Sequence, residues 1–85
     1  MNAEALTQLI ESNIEDTKAI VQTPDNVHFE AIVISSVFNQ IASKVKQQQI
    51  VYKALGDKIS TGEVHALQLK TYTPEKWEKK QQTSN

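Results

Sequence analysis

Ala31-Ile32-Val33-Ile34, inside the stretch Val27 to Ser35, is the feature that most restricts the fold, because it is continuously apolar and mostly β-branched. A strand with one wet face alternates apolar and polar residues, whereas a strand that is covered on both faces or placed centrally need not. Val27 to Ser35 is therefore predicted to be such a strand. A shorter run, Lys18 to Gln22, precedes it, and Thr23-Pro24-Asp25-Asn26 supplies turn residues between the two. Together they read as a hairpin.

The rest of the chain supplies helices and one more strand. Leu6, Leu9, Ile10 and Ile14 fall at helical spacing, with Glu4 and Glu11 outside, so Ala3 to Ile14 reads as an amphipathic helix. Phe38, Ile41, Val45, Gln48, Tyr52, Leu55 and Ile59 step by three or four residues, describing one long stripe or two helices meeting near Ser43. Serine can cap the second of these. Gly56 falls inside the stripe, at about 1 kcal/mol relative to alanine, and Thr61-Gly62 ends it. His65, Leu67, Leu69 and Thr71 then alternate with Ala66, Gln68 and Lys70, the pattern of a half-buried strand. Thr73 can cap a final turn that Pro74 opens, with Tyr72 and Trp77 at the spacing of a hydrophobic staple. From Lys79 to Asn85 nothing is available to bury, so residues 79–85 are expected to be a disordered tail on a single domain spanning 1–78. The order is α-β-β-α-α-β. A helical connection between the second and third strands makes a right-handed parallel crossover, which predicts an α+β fold with a three-stranded mixed sheet and its helices on one face.

Composition narrows the function classes. Eighty-five residues, 39% of them hydrophobic, make one core. Without cysteine there is neither a disulfide nor an all-protein thiolate metal site. The N-terminus lacks a basic-then-apolar leader pattern, and no apolar run approaches the roughly 18 residues of a membrane span, so a soluble, cytoplasmic protein is expected. Nine lysines, no arginine and ten acids give a net charge of −1, which removes strong whole-molecule attraction for nucleic acid. Glycine occurs only at 56 and 62, so a Gly-x-x-Gly loop of the kind that grips single-stranded nucleic acid is missing. No nucleophile–base pair or metal constellation can be read, which argues against an enzyme.

The remaining chemical candidates are His28 and His65, each alone near a strand start. A lone strand histidine is ordinarily a polar edge residue of a core. Lys44, Lys46, Lys53 and Lys58 give the central helical region a basic side, with Lys46 and Lys53 two turns apart on one face. Such a side is either solvated or a docking face for an acidic partner. Lys46 and Lys53, with Thr73, Pro74 and Trp77, are the candidate partner-binding residues.

His28-Phe29-Glu30-Ala31-Ile32-Val33-Ile34-Ser35, the run Ser36 to Phe38, Lys46-Gln47-Gln48-Gln49-Ile50-Val51-Tyr52, Glu63-Val64-His65-Ala66-Leu67-Gln68-Leu69-Lys70 and Thr71-Tyr72-Thr73-Pro74-Glu75-Lys76-Trp77 together resemble the BolA family, in its bacterial IbaG- and YrbA-like form. That resemblance implies a fold similar to a class II KH domain. It also implies a non-enzymatic adaptor that works with a monothiol glutaredoxin. In such a complex His65, just before Ala66-Leu67, would be the protein's ligand to a shared [2Fe-2S] cluster, and the partner's cysteine and glutathione would supply the rest. No cofactor is then expected on the isolated chain, as a monomer or weak homodimer. Eukaryotic relatives carry a second ligand, cysteine or histidine, at the position of Asp25. Aspartate is a poorer match to this iron site and is ordinary turn chemistry, so Asp25 and its neighbour His28 both stand as possible second ligands. The alternative is a KH-like, DNA-binding transcriptional or stress-response regulator. Its direct readout would be helped by arginines, so any nucleic-acid binding is expected to be weak.

Overall fold

The structure, a computed structural model, describes residues 1–56, 58 and 66–83. Its elements are α1 (Ala3–Asn13), β1 (Thr17–Gln22), β2 (His28–Ser35), a 3-10 turn (Ser36–Gln40), α2 (Lys44–Leu55), β3 (Ala66–Tyr72) and α3 (Pro74–Thr83). The sheet order is β1-β2-β3. β2 is central, antiparallel to β1 with Ala19 opposite Val33, and parallel to β3 with Val33 opposite Thr71. The continuous apolar run is thus explained by position, since β2 has a strand on each side and loses both Val33 and Ile34 from solvent.

One sheet face carries Ala19, Phe29, Val33, Leu67, Leu69 and Thr71, and against it α1 and α2 deliver Leu6, Ile10, Val51 and Leu55. The expected mixed sheet with helices on one face is what these residues build. α1 starts where Asn2 accepts the Ala5 N–H at 2.8 Å, an N-cap. Its Glu11 reaches past the helix to accept the Ala19 N–H at 3.0 Å. On the opposite sheet face, Ile20, Gln22, Glu30, Ile32, Gln68 and Lys70 line a shallow depression of about 130 Å³. α3 packs at the C-terminal ends of β2 and β3, where Tyr72 meets Trp77.

Three expectations change. Of the two readings of the central stripe, the structure takes the broken one: the 3-10 turn is capped by Ser35, and α2 begins afresh at the Ser43 cap. Restarting the helix resets its phase. Gln47, Val51 and Leu55 face inward, while Val45 and Tyr52, expected on the apolar stripe, are 63% and 40% exposed. Next, Gly56 does not interrupt a helix but ends one. Its φ of +63° is a conformation other residues resist, so α2 stops at Leu55. Ile59, Thr61 and Gly62 lie outside the described residues. Finally, α3 is helical to Thr83, five residues past the expected disorder boundary at Glu78. Lysine, glutamate and glutamine have good helix propensity, and Glu75 pairs with Lys79 one turn on at 3.5 Å.

Candidate functional site

The turn between β1 and β2 is built on the Asp25 carboxylate. Its Oδ1 accepts the main-chain N–H groups of Val27 (2.9 Å) and His28 (2.8 Å). Asn26 takes a left-handed conformation, φ +62°, and donates its N–H to Thr23 Oγ1, whose hydroxyl donates in turn to the His28 carbonyl at 2.6 Å. Asp and Asn are favoured here because short polar side chains can replace main-chain partners in such turns. The other Asp25 oxygen, Oδ2, lies 2.8 Å from His28 Nδ1. The main-chain N–H of His28, its ring, and then the Val27 N–H lower the Asp25 pKa from 3.8 to about 2. Asp25 and His28, alternatives in the sequence, are therefore partners in the structure. A carboxylate on Nδ1 fixes ring orientation and makes Nε2 the basic nitrogen of the neutral imidazole, an arrangement that commonly stands behind a metal-ligating histidine.

This corner adjoins the start of β3. His28 is in register with Ala66, and the Ala66 N–H donates to the Val27 carbonyl at 3.3 Å. Pro24, His28, Phe29, Ala66 and Leu67 line a pocket of about 230 Å³ there. His65 precedes Ala66 in the chain but lies outside the described residues. Among the described residues no three histidine, aspartate or glutamate side chains gather as a metal site. With both Asp25 oxygens occupied and no cysteine in the chain, the residues present fit a minority share of a metal cluster, by imidazole, and not its whole coordination.

The candidate partner-binding residues fall into two places. Lys46 and Lys53 are exposed on α2, away from its buried residues Gln47, Val51 and Leu55. Thr73, Pro74 and Trp77 shape the start of α3: Thr73 Oγ1 accepts the Lys76 N–H at 3.2 Å, its carbonyl accepts the Trp77 N–H at 3.0 Å, and the Trp77 ring lies 5.3 Å from Tyr72. It is Lys44 that connects α2 with this end of β3. Its ammonium donates to the Thr71 carbonyl and sits 5.1 Å from the Tyr72 ring centroid. Burial, and then the charge of Lys76, push the Lys44 pKa down. Below it Thr71 donates to Gln47 Oε1 at 2.6 Å, a buried polar link. The sequence signal for these contacts is weak, since nothing in a lysine three positions before a glutamine announces which strand it will reach.

With this geometry, the comparison with known proteins is specific. The model of the BolA-like protein family matches residues 4–76. The chain belongs to the BolA family. It is 45% identical over 75 residues to an uncharacterized protein of Haemophilus influenzae, covering 85% of this chain and 87% of that one. It is 40% identical over 53 residues to the acid stress protein IbaG of Escherichia coli K12, covering 62% of each. The structure of a BolA protein homologue from Coxiella burnetii superposes with a TM-score of 0.81 at 33% identity, over 92% of this chain and 97% of that one. The α+β architecture is thus the BolA fold.

Proposed function

We propose that this BolA-family chain is a non-enzymatic adaptor in iron–sulfur cluster assembly or trafficking, which binds a monothiol glutaredoxin and shares a [2Fe-2S] cluster with it through His65. The observation that supports this most is the Asp25–His28 corner beside Ala66, the residue that follows His65. An imidazole held by a carboxylate, at the start of β2, stands beside the start of β3, the strand before which the family motif assigns the ligand. In this reading Asp25 holds the turn with Oδ1 and orients His28 with Oδ2, and it is imidazole, a better match to this iron site than carboxylate, that meets the iron. His28, through Nε2, is the second candidate ligand. When bound, the cluster supplies electron-transfer chemistry at a potential that a histidine ligand raises relative to thiolate. This chain's own part is to present neutral imidazole and dock the partner. Protons compete for a histidine ligand, which gives a physical connection to the acid-stress name of the Escherichia coli relative.

The test is anaerobic co-purification with a monothiol glutaredoxin and glutathione, recording the visible circular dichroism of the complex. His65→Ala should abolish or shift the holo spectrum, His28→Ala should change it less, and thermal melts should show both variants folded. Identical holo spectra and affinities for His65→Ala and the parent protein would remove the ligand assignment. A collapsed melt would make His65 a core residue instead.

A further inference from the structure

The two outer edges of the sheet are treated differently. On β1 the Ala19 N–H, which points away from β2, is taken by the Glu11 carboxylate, so α1 blunts that edge with a charge. On β3 the Ala66 N–H points to β2, and main-chain groups alternate sides along a strand, so Leu67, Leu69 and Thr71 turn theirs outward. Lys44 donates to the Thr71 carbonyl. The outward groups of Leu69 have no such cover among the described residues. Beside them Lys44, Gln48, Leu69, Lys70, Thr71 and Tyr72 line a groove of about 310 Å³ between the strand and α2. Val45 and Tyr52 flank the lining residue Gln48 at helical spacing on α2, and both are large apolar side chains left exposed.

We propose that this groove is a strand-addition site for an extended, acidic segment of a partner protein, which joins the sheet as a fourth strand beside Leu69 and rests alternate side chains on Val45 and Tyr52. An open strand edge beside exposed apolar helix residues selects an extended peptide, since main-chain bonding supplies affinity and the apolar residues read every second side chain. The charge sign follows from Lys44 in the lining, with Lys76 close enough to act on it, and from Lys70, which borders the same strand edge from the opposite sheet face. A second copy pairing edge to edge would set these lysines against their own kind. A nucleic acid would find the cations but has no strand edge to offer Leu69. The groove lies toward the end of β3 away from Ala66, so the inference stands apart from the shared-cluster reading.

The experiment titrates isotope-labelled protein with a blocked peptide of about seven alternating glutamate and valine residues. Saturable amide shifts should appear at Leu67, Leu69, Thr71 and along Lys44 to Tyr52, with slowed hydrogen exchange at Leu69. Val45→Glu, at an exposed position, should weaken binding by about tenfold or more. Leu69→Pro removes an outward N–H while sparing the β2–β3 ladder, and should abolish binding in a protein whose melt shows it folded. A lysine–valine peptide should not bind. Several results would overturn the proposal: absent binding at millimolar peptide, unchanged affinity in Val45→Glu, or shifts confined to the Lys46 and Lys53 side. A concentration-dependent dimer giving the same shifts would make the occupant a second copy, and displacement of the peptide by single-stranded DNA would make it a nucleic acid; either outcome rejects the acidic segment.

Discussion

Asp25 shows how one side chain can be read two ways until its neighbours are known. As a residue type in a turn it is unremarked chemistry, and as the position of a family ligand it is a departure; the structure gives it a third role, holding two N–H groups with one oxygen and the His28 ring with the other. The turn was legible from Thr23-Pro24-Asp25-Asn26, but the Asp25–His28 contact was not. Its signal is the three-residue interval across an Asx turn, which brings the two side chains to the same side only once the left-handed Asn26 is in place. The lowered pKa carries a pH consequence. A carboxyl whose pKa falls on folding contributes stability that is fully present above its unfolded value and lost as pH falls through the folded one, here between 3.8 and about 2. The amide resonances of Val27 and His28 should therefore titrate with a midpoint near 2, and in Asp25→Asn this transition should vanish. A midpoint near 3.8 in the parent protein would mean that the turn does not hold the carboxylate in solution.

Among the elements, β2 and α1 were legible because burial wrote itself into their composition: continuous apolar residues for a central strand, and Leu6 with Ile10 for a helix on one face. The phase of α2 was harder. A stripe running unbroken from Phe38 assigned Val45 and Tyr52 to the interior, but the Ser43 cap interrupts the register and gives Gln47 the buried place, where it accepts from Thr71 and donates to the Ile41 carbonyl. A buried glutamine between apolar residues is invisible to periodicity because its partners lie in distant segments. The extent of α3 was missed for the opposite reason, since Lys79 to Gln82 are exposed and bury nothing that a pattern could register. At the other end of α2, Gly56 makes a prediction that isolates backbone from packing. Among the described residues a Cβ at this position would meet nothing within 4 Å, so the cost expected of Gly56→Ala is that of φ +63°. It should destabilise the protein by about 1–3 kcal/mol. Urea unfolding should show an earlier midpoint at an unchanged slope, and an unaltered midpoint would mean that α2 ends in another conformation in solution.

At the scale of the whole molecule, the chain distributes its titratable groups to the periphery of a core whose buried polar members, among the described residues, are Ser35, Gln47 and Thr71. The buried cluster is aliphatic and aromatic, the imidazole corner lies at one end of the β2–β3 pair, and the cations around Tyr72 lie at the other. A net charge of −1 from nine lysines and ten acids means that recognition must come from such local groupings rather than from an overall field. The same separation sets what the chain can do unaided. A [2Fe-2S] centre takes four protein ligands in the usual case, with histidine able to replace cysteine at some of them. This chain has no cysteine and two histidines, and the Asp25 carboxylate is committed to its turn. Even with both imidazoles on iron, half the coordination would be missing. Anaerobic reconstitution of the protein alone, followed by gel filtration, should therefore return a colourless species. Adding a monothiol glutaredoxin with glutathione before reconstitution should give a coloured one at the combined mass. Stable, stoichiometric cluster on the isolated chain would require ligands from a second copy, and the adaptor reading would give way to a cluster-bridged homodimer.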